Sequence, residues 1–379
     1  MKTKKTLKLK QLDIHGFKSF NTEGQSLTIG DVTVLLGANG AGKSNVISFF
    51  KMISWMMTGG LQNFIGESGS ANDLLFYGAK ATSRMEAELL FTDDRAEDKY
   101  SFKLAHAAGD TLSFTEETLF CKLKHEPKPF TLTLNPGLKE SGLFEKSKEQ
   151  NATITRVIFQ LLKSIQVFQF HDTSKEARIR NKGFIHDNDF LRSDGGNLAA
   201  FLYAMRNNPQ YLQYYTRIIR YIQKIMPQFG DFILEPSPLN DNYIMLNWKE
   251  QTGDYLFGSH QLSDGTLRFM ALATLLLQPE QNLPSVIVLD EPELGLHPFA
   301  ISVLAGMIKA AGLHCQIILA TQSPRLVDEF EYRDIVIVER DEQSRCTVLK
   351  RLQESELGHW IESYSMSELW EKNVLGGRP

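Results

Sequence analysis

The chain has 379 residues, of which 42% are hydrophobic and 23% charged, and its formal net charge is −4. That length allows two or three lobes around a sizeable core, and the charge gives no global pull toward nucleic acid, so any DNA contact has to come from a local patch. Cys121, Cys315 and Cys346 are scattered and odd in number, which points away from a disulfide framework or a zinc site and fits a reducing cytoplasm. The opening Met1 to Lys10 lacks the apolar stretch of a signal peptide, and the most apolar segment, around Ala271 to Leu277, is far shorter than a membrane span. A cytoplasmic protein without a membrane partner is expected.

In chain order, Leu7 to Phe17, Gln25 to Ile29 and Val32 to Leu36 read as strands, the last an unbroken apolar run suited to a buried position. A glycine-rich loop follows. Asn45 to Met57 then reads as a long apolar helix whose N-terminus faces that loop. Residues 85–91, 100–104 and 130–134 alternate and predict an antiparallel sheet, with Pro127, Pro129 and Asn135-Pro136-Gly137 marking turns. Ile165 to Phe170 is another apolar strand. Gly196 to Arg206 and Pro209 to Met226 predict helices, and Tyr203, Tyr211, Tyr214, Tyr215 and Tyr221 fall at the spacing of a core face. Strands are predicted at 229–234 and 243–248. An apolar helix, Thr266 to Leu277, is opened by Leu262-Ser263-Asp264-Gly265. Strand 285–290, helix 298–310, strand 314–320 and strand 334–338 complete an α/β pattern with parallel strands.

Three segments carry chemistry. Gly37-Ala38-Asn39-Gly40-Ala41-Gly42-Lys43-Ser44 matches the phosphate-binding pattern GxxxxGK[ST] between a strand and a helix. Glycines let backbone N–H groups close around phosphate oxygens, and the helix N-terminus favours negative charge. Asn39, Gly40, Ala41, Gly42, Lys43, Ser44 and Asn45 are therefore the expected ATP cradle. Lys43 is to reach the β and γ phosphates, and the Ser44 hydroxyl is to hold Mg²⁺. Val286 to Asp290 is a buried strand ending in an acid, placed where Mg²⁺ needs a second protein contact. Glu291 follows as the candidate general base for the attacking water. In the third segment Ser263 reads equally well as a plain helix N-cap. Its place just before the acidic strand makes Ser263, Asp264 and Gly265 a candidate γ-phosphate site.

These three segments, in this order and spacing, resemble the ABC-type ATPase heads of the SMC, RecF and OLD group. Leu12 to Phe20 is similar to the first strand of those heads, and Asp290-Glu-Pro-Glu-Leu-Gly-Leu-His-Pro298 to their Walker B and D-loop. Leu319 to Pro324 is similar to their switch, and Ser367 to Pro379 to the ending of one subgroup of bacterial ATPases. The resemblance implies an α/β fold, a P-loop NTPase head with an N-terminal antiparallel β subdomain and an inserted helical subdomain. It also implies a head dimer formed on ATP, in which Ser263 and Gly265 of one copy complete the site of the other. Two positions depart from the pattern. Gln322 stands at the usual switch histidine; an amide bonds a phosphate or water but takes no proton, so the base role falls on Glu291. The D-loop aspartate is replaced around Leu296-His297. The Q-loop residue, a further Mg²⁺ contact, is Gln169 or His171.

The expected division is 1–170 (α/β lobe with the antiparallel subdomain), 171–257 (mainly helical insertion), 258–350 (C-terminal α/β lobe) and 351–379 (tail). No sustained heptad pattern lies between Ser44 and Ser263, so a long SMC coiled coil is not expected, and too little chain follows Gln322 for a Toprim nuclease. Candidate DNA contacts are Lys2, Lys4, Lys5, Lys8 and Lys10, and a second group of Lys175, Arg178, Arg180, Lys182 and Arg192. His186-Asp-Asn-Asp189 has ligand-type side chains without a second cluster. Two functions follow from the resemblance. One is a RecF-like ATPase in DNA repair or genome maintenance. The other is the sensor or regulatory ATPase of an antiphage system that controls a separately encoded effector such as a Toprim-like nuclease.

Overall fold

A parallel sheet needs apolar cover on both faces, and here it divides the hydrophobic interior in two. The computed structural model describes residues 7–126, 128–149, 152–358 and 360–377; Lys2, Lys4, Lys5 and Pro127 lie outside them. The central sheet comprises β1 (Val32–Leu36), β2 (Ile165–Phe168), β3 (Val286–Asp290), β4 (Gln316–Thr321), β5 (Ile335–Arg340) and β6 (Thr347–Arg351). Their order is β6-β5-β1-β4-β3-β2. All neighbours are parallel except the β5–β6 pair at one edge. Successive side chains point to opposite faces. Val286, Val288, Ile318 and Ala320 therefore enter one core with helix α1 (Lys43–Met56). Ile287, Leu289, Ile317 and Leu319 enter the other with α2 (Asp264–Leu277) and α3 (Pro298–Gly312).

A second six-stranded sheet is antiparallel. In space its strands run Gln25–Thr28, Lys8–His15, Arg84–Thr92, Ala96–Ala107, Thr111–Leu123 and Phe130–Thr133. Its inner face shares the core of α1, where Phe49 stacks on Phe102 at 6.4 Å. The 13-residue strand Thr111–Leu123 is absent from the sequence reading. Its pattern is broken by a buried acid, Glu117, which accepts hydrogen bonds from Tyr100 Oη at 2.6 Å, Ser141 Oγ at 2.5 Å and the Gly142 N–H at 2.9 Å.

Residues 171–257 hold more strand than expected. Beside helices Leu198–Asn207 and Leu212–Ile225 lie two three-stranded sheets. The predicted strand at 243–248 is two strands. Tyr243 and Ile244 pair with Phe184 and Gly183, whereas Asn247 and Trp248 pair with Ile233 and Phe232. Ile244, Leu246 and Trp248 are all buried in one core, so the alternation runs unbroken across the change of partner. Tyr215 is buried and Tyr203, Tyr211, Tyr214 and Tyr221 pack against the same core. Among the described residues no helix is long and apolar enough to cross a membrane.

Side chains of Gln25, Arg351 and Gln316 join the two large sheets, the first two at β6 and the third at β4. Gln316, at the start of β4, accepts from the Leu9 N–H at 2.7 Å and donates to the Leu9 carbonyl at 2.8 Å, as a neighbouring strand would. Gln316→Leu leaves both buried backbone groups without this partner, so it is expected to cost about 2–3 kcal/mol. Urea unfolding reads this as a lower midpoint; an unchanged midpoint would show that the sheets do not depend on this joint.

Candidate nucleotide-binding site

The glycine-rich loop leaves β1 under close steric control. A Cβ on Gly37 would lie 2.1 Å from the Val338 carbonyl oxygen. One on Gly42, whose φ is +115°, would lie 2.0 Å from Thr347 Oγ1. Only glycine fits the second position, for space and for backbone conformation. Thr347 also donates to the Ala41 carbonyl at 2.8 Å and bonds Ser19 Oγ at 2.7 Å, and Ser19 Oγ accepts from Asn45 Nδ2 at 2.6 Å. The loop is thus propped by β6 and by the turn after the first strand. Its other flank bonds the C-terminal segment, where the Ala38 N–H donates to Gly377 O at 2.9 Å.

Helix α1 starts at Lys43 with no side-chain cap, so its first N–H groups face the loop. The buried Lys43 ammonium donates to Gly37 O at 2.6 Å and Ala38 O at 2.9 Å. Burial lowers its pKa, against the opposing pull of Glu291, Asp290 and Glu293. Two open grooves meet at Gly40. One, of about 870 Å³, is walled by the loop, residues 339–343 and Gly376-Gly377. The other, of about 620 Å³, is walled by Lys18, Ser19, Tyr77, Arg340 and Arg345.

Asp290 ends β3 beside this loop. Gln169, one residue past β2, donates its amide to Asp290 Oδ2 at 3.1 Å. His171 Nε2 bonds the Asp290 backbone carbonyl at 2.8 Å. Both Q-loop candidates therefore touch the same residue. Glu291 has a left-handed backbone, φ +39°, and donates its N–H to Ala320 O at 2.9 Å. Such a conformation costs about 1–3 kcal/mol in a non-glycine residue and concentrates at functional positions. Gln322 directly follows β4, whose last residue, Thr321, donates its hydroxyl to Glu293.

Ser263 is the N-cap of α2, accepting from the Thr266 N–H at 3.1 Å, and it is exposed together with Asp264. The plain-cap reading and the exposed-signature reading thus describe the same residue. Gly265 sits so close to the turn after Glu293 that a Cβ would lie 2.2 Å from Gly295 O. Helices α1 and α2 belong to opposite cores, so the glycine-rich loop and Ser263–Gly265 lie toward opposite faces of the sheet. At the D-loop departure, His297 caps α3 by accepting from the Phe299 N–H at 3.3 Å.

Of the second candidate DNA group, Lys175, Arg178, Lys182 and Arg192 are exposed and Arg180 is not. Arg180 is buried, donating to Asp264 at 2.7 Å and to the carbonyls of Thr173, Ser259 and Leu262. It holds the Asp264 carboxyl below the usual range. The exposed Arg178 pairs with Asp194 at 3.8 Å and the exposed Arg192 with Asp187 at 2.6 Å. Among the described residues no group of three or more His, Cys, Asp or Glu could hold a metal, His186–Asp189 included.

Sequence reasoning missed Thr347, Ser19, Gly377 and Glu293. Thr347 and Gly377 carry no local signal, because their partners are hundreds of residues away. Glu293 lay within the quoted Asp290–Pro298 stretch without a role. It is buried, one carboxyl oxygen accepts from Thr321, and the other has no partner. Burial raises its pKa. With a folded pKa above the unfolded one, its contribution to stability is full below the unfolded pKa and is lost as pH rises through the folded value. Glu293→Gln keeps the acceptor and cannot ionise, so the variant is expected to gain in melting temperature over the parent as pH rises above the ordinary carboxylate range. A melting difference that does not change with pH would contradict this.

A family model described as "AAA domain, putative AbiEii toxin, Type IV TA system" matches residues 32–328, from the start of β1 past Gln322. Two solved SMC heads share the fold. An SMC head bound to the C-winged helix domain of ScpA is 16% identical, with 92% of this chain and 99% of that one covered and a TM-score of 0.57. An SMC head domain with an extended coiled coil, bound to the C-terminal domain of ScpA and derived from Pyrococcus furiosus, is 16% identical, with 94% and 99% covered and a TM-score of 0.55. No curated protein matches. The chain belongs to this AAA domain family, and its fold is that of an SMC-like, ABC-type P-loop ATPase head.

Proposed function

We propose that this chain hydrolyses ATP as a nucleotide-dependent dimer and that the dimer governs a separately encoded effector in defence against phage. One observation carries the dimer. Lys43, Asp290, Glu291 and Gln169 gather at one edge of the sheet, while Ser263 and Gly265 belong to the helix on its other face. One chain therefore carries two halves of a site that a second copy brings together.

In this reading the N–H groups of Asn39 to Asn45 cradle the phosphates, and Lys43 exchanges the Gly37 and Ala38 carbonyls for phosphate oxygens. The Ser44 hydroxyl, the Asp290 carboxylate and the Gln169 amide oxygen are hard donors that suit Mg²⁺, since Gln169 uses its amide nitrogen on Asp290. Mg²⁺ supplies neutralisation of charge that builds up on the phosphates. Glu291 accepts the proton of the attacking water, and Gln322 orients that water without taking the proton. Ser263 and Gly265 of a second copy engage the γ-phosphate.

Control of a protein partner is supported over direct action on DNA by two facts. The matching family description names a toxin, and both similar heads are described as bound to a domain of ScpA. The buried Arg180 adds to this.

Lys43→Ala is expected to reduce hydrolysis to background, and Glu291→Gln to slow it by about a hundredfold or more. In ATP-Mg²⁺ the Glu291→Gln protein is expected to sediment as a dimer at micromolar concentration. Turnover of the parent is expected to be indifferent to double-stranded DNA ends. A clear rise with DNA would favour the repair reading.

A further inference from the structure

Arg268 lies in the second turn of α2, just past Gly265, and its guanidinium reaches three backbone carbonyls. Nε donates to Phe170 O at 3.0 Å, Nη2 to His171 O at 2.8 Å, and Nη1 to Leu294 O at 2.9 Å. The first two carbonyls belong to the segment directly after Gln169. The third belongs to the turn after Glu291. Both segments touch the hydrolytic edge, since Gln169 and His171 bond Asp290. Gly295 has φ +75°, which favours glycine, and a Cβ there would lie 2.9 Å from Arg268 Nη1, so a larger residue would push the end of the guanidinium aside.

Arg180 makes a second, independent clamp between the same regions. From the Q-loop side it holds Thr173 O, and on the signature side Ser259 O, Leu262 O and the Asp264 carboxylate. The Ser259 hydroxyl returns a bond to Arg180 O at 2.7 Å. Residues 170–173 are thus held between two guanidiniums, each anchored to the segment that carries Ser263–Gly265.

We propose that Arg268 is a positioning residue that couples the two half-sites of one chain. A shift of Gln169 or Asp290 when nucleotide binds moves the Phe170 and His171 carbonyls, and the rigid guanidinium passes that shift to α2 and to the signature offered to the second copy. The planar fork matters, because a lysine ammonium is a single point of charge that does not span all three carbonyls. The inference rests on the dimer reading. The two states are the separated and the ATP-joined heads, and Arg268 acts through the Phe170, His171 and Leu294 carbonyls of its own chain.

The test uses the full chain in a Glu291→Gln background, with Arg268→Lys and Arg268→Ala added separately. ATP binding to the individual subunit is read with a fluorescent ATP analogue, dimerisation by sedimentation, and folding by thermal melting. Both variants are expected to keep the affinity of the subunit for the analogue. Each is expected to need about tenfold more protein to dimerise in ATP-Mg²⁺. With Glu291 restored, kcat falls, KM holds, and the cooperativity of turnover in ATP is lost. If the alanine variant fails to fold, the lysine variant carries the measurement. Dimerisation of Arg268→Lys at the parent's concentration overturns the coupling role alone, and so does a loss of dimer matched by an equal loss of subunit affinity or melting temperature. A Glu291→Gln protein that stays monomeric with Arg268 intact overturns the dimer reading and the inference together.

Discussion

Parallel pairing brings the ends of β1, β4 and β3 level, and the chemistry of this molecule depends on that alignment. Thr321 pairs with Leu36, and Ala320 with Asp290. The next residues along each strand are Gly37, Gln322 and Glu291, so three segments far apart in sequence emerge at one edge. Antiparallel neighbours would send alternate strand ends to opposite edges and scatter them. The requirement for cover on both faces then places α1 on one side and α2 on the other, which separates the glycine-rich loop from Ser263–Gly265 within one chain.

The candidate site departs from what stability alone would select. Lys43 and Glu293 are buried ionisable groups, Glu291 has a left-handed backbone, and one Glu293 oxygen has no partner. Each feature is unfavourable locally and is held by surroundings that leave little freedom, such as Thr347 against Gly42 and Thr321 against Glu293. Concentration of such departures at one strand edge is what a functional site looks like in an otherwise consistent sequence.

What the sequence made legible was short-range. Val32 to Ser44 carries strand, loop and helix in one continuous stretch, and Val286 to Glu291 carries a buried strand and its terminal acids. Patterns broken by satisfied polar groups were not legible. Glu117 hides the longest strand of the antiparallel sheet, because its partners Tyr100 and Ser141 cannot be foreseen from its neighbours. Arg180 read as a surface cation for the same reason, since the carbonyls that bury it lie 79 and 82 residues away. The break at Met245 escaped because Ile244, Leu246 and Trp248 feed one core through two sheets.

The shared site is the central claim, and subunit mixing tests it most directly. Lys43→Ala and Ser263→Arg proteins are prepared separately, and ATP hydrolysis is measured for each alone and for the mixture. A site built from two copies predicts that each alone is inactive and that the mixture recovers activity, because a mixed dimer holds one site with both Lys43 and Ser263 intact. No recovery, with mixed dimers demonstrated by differential tagging, would place both half-sites within one chain and contradict the account.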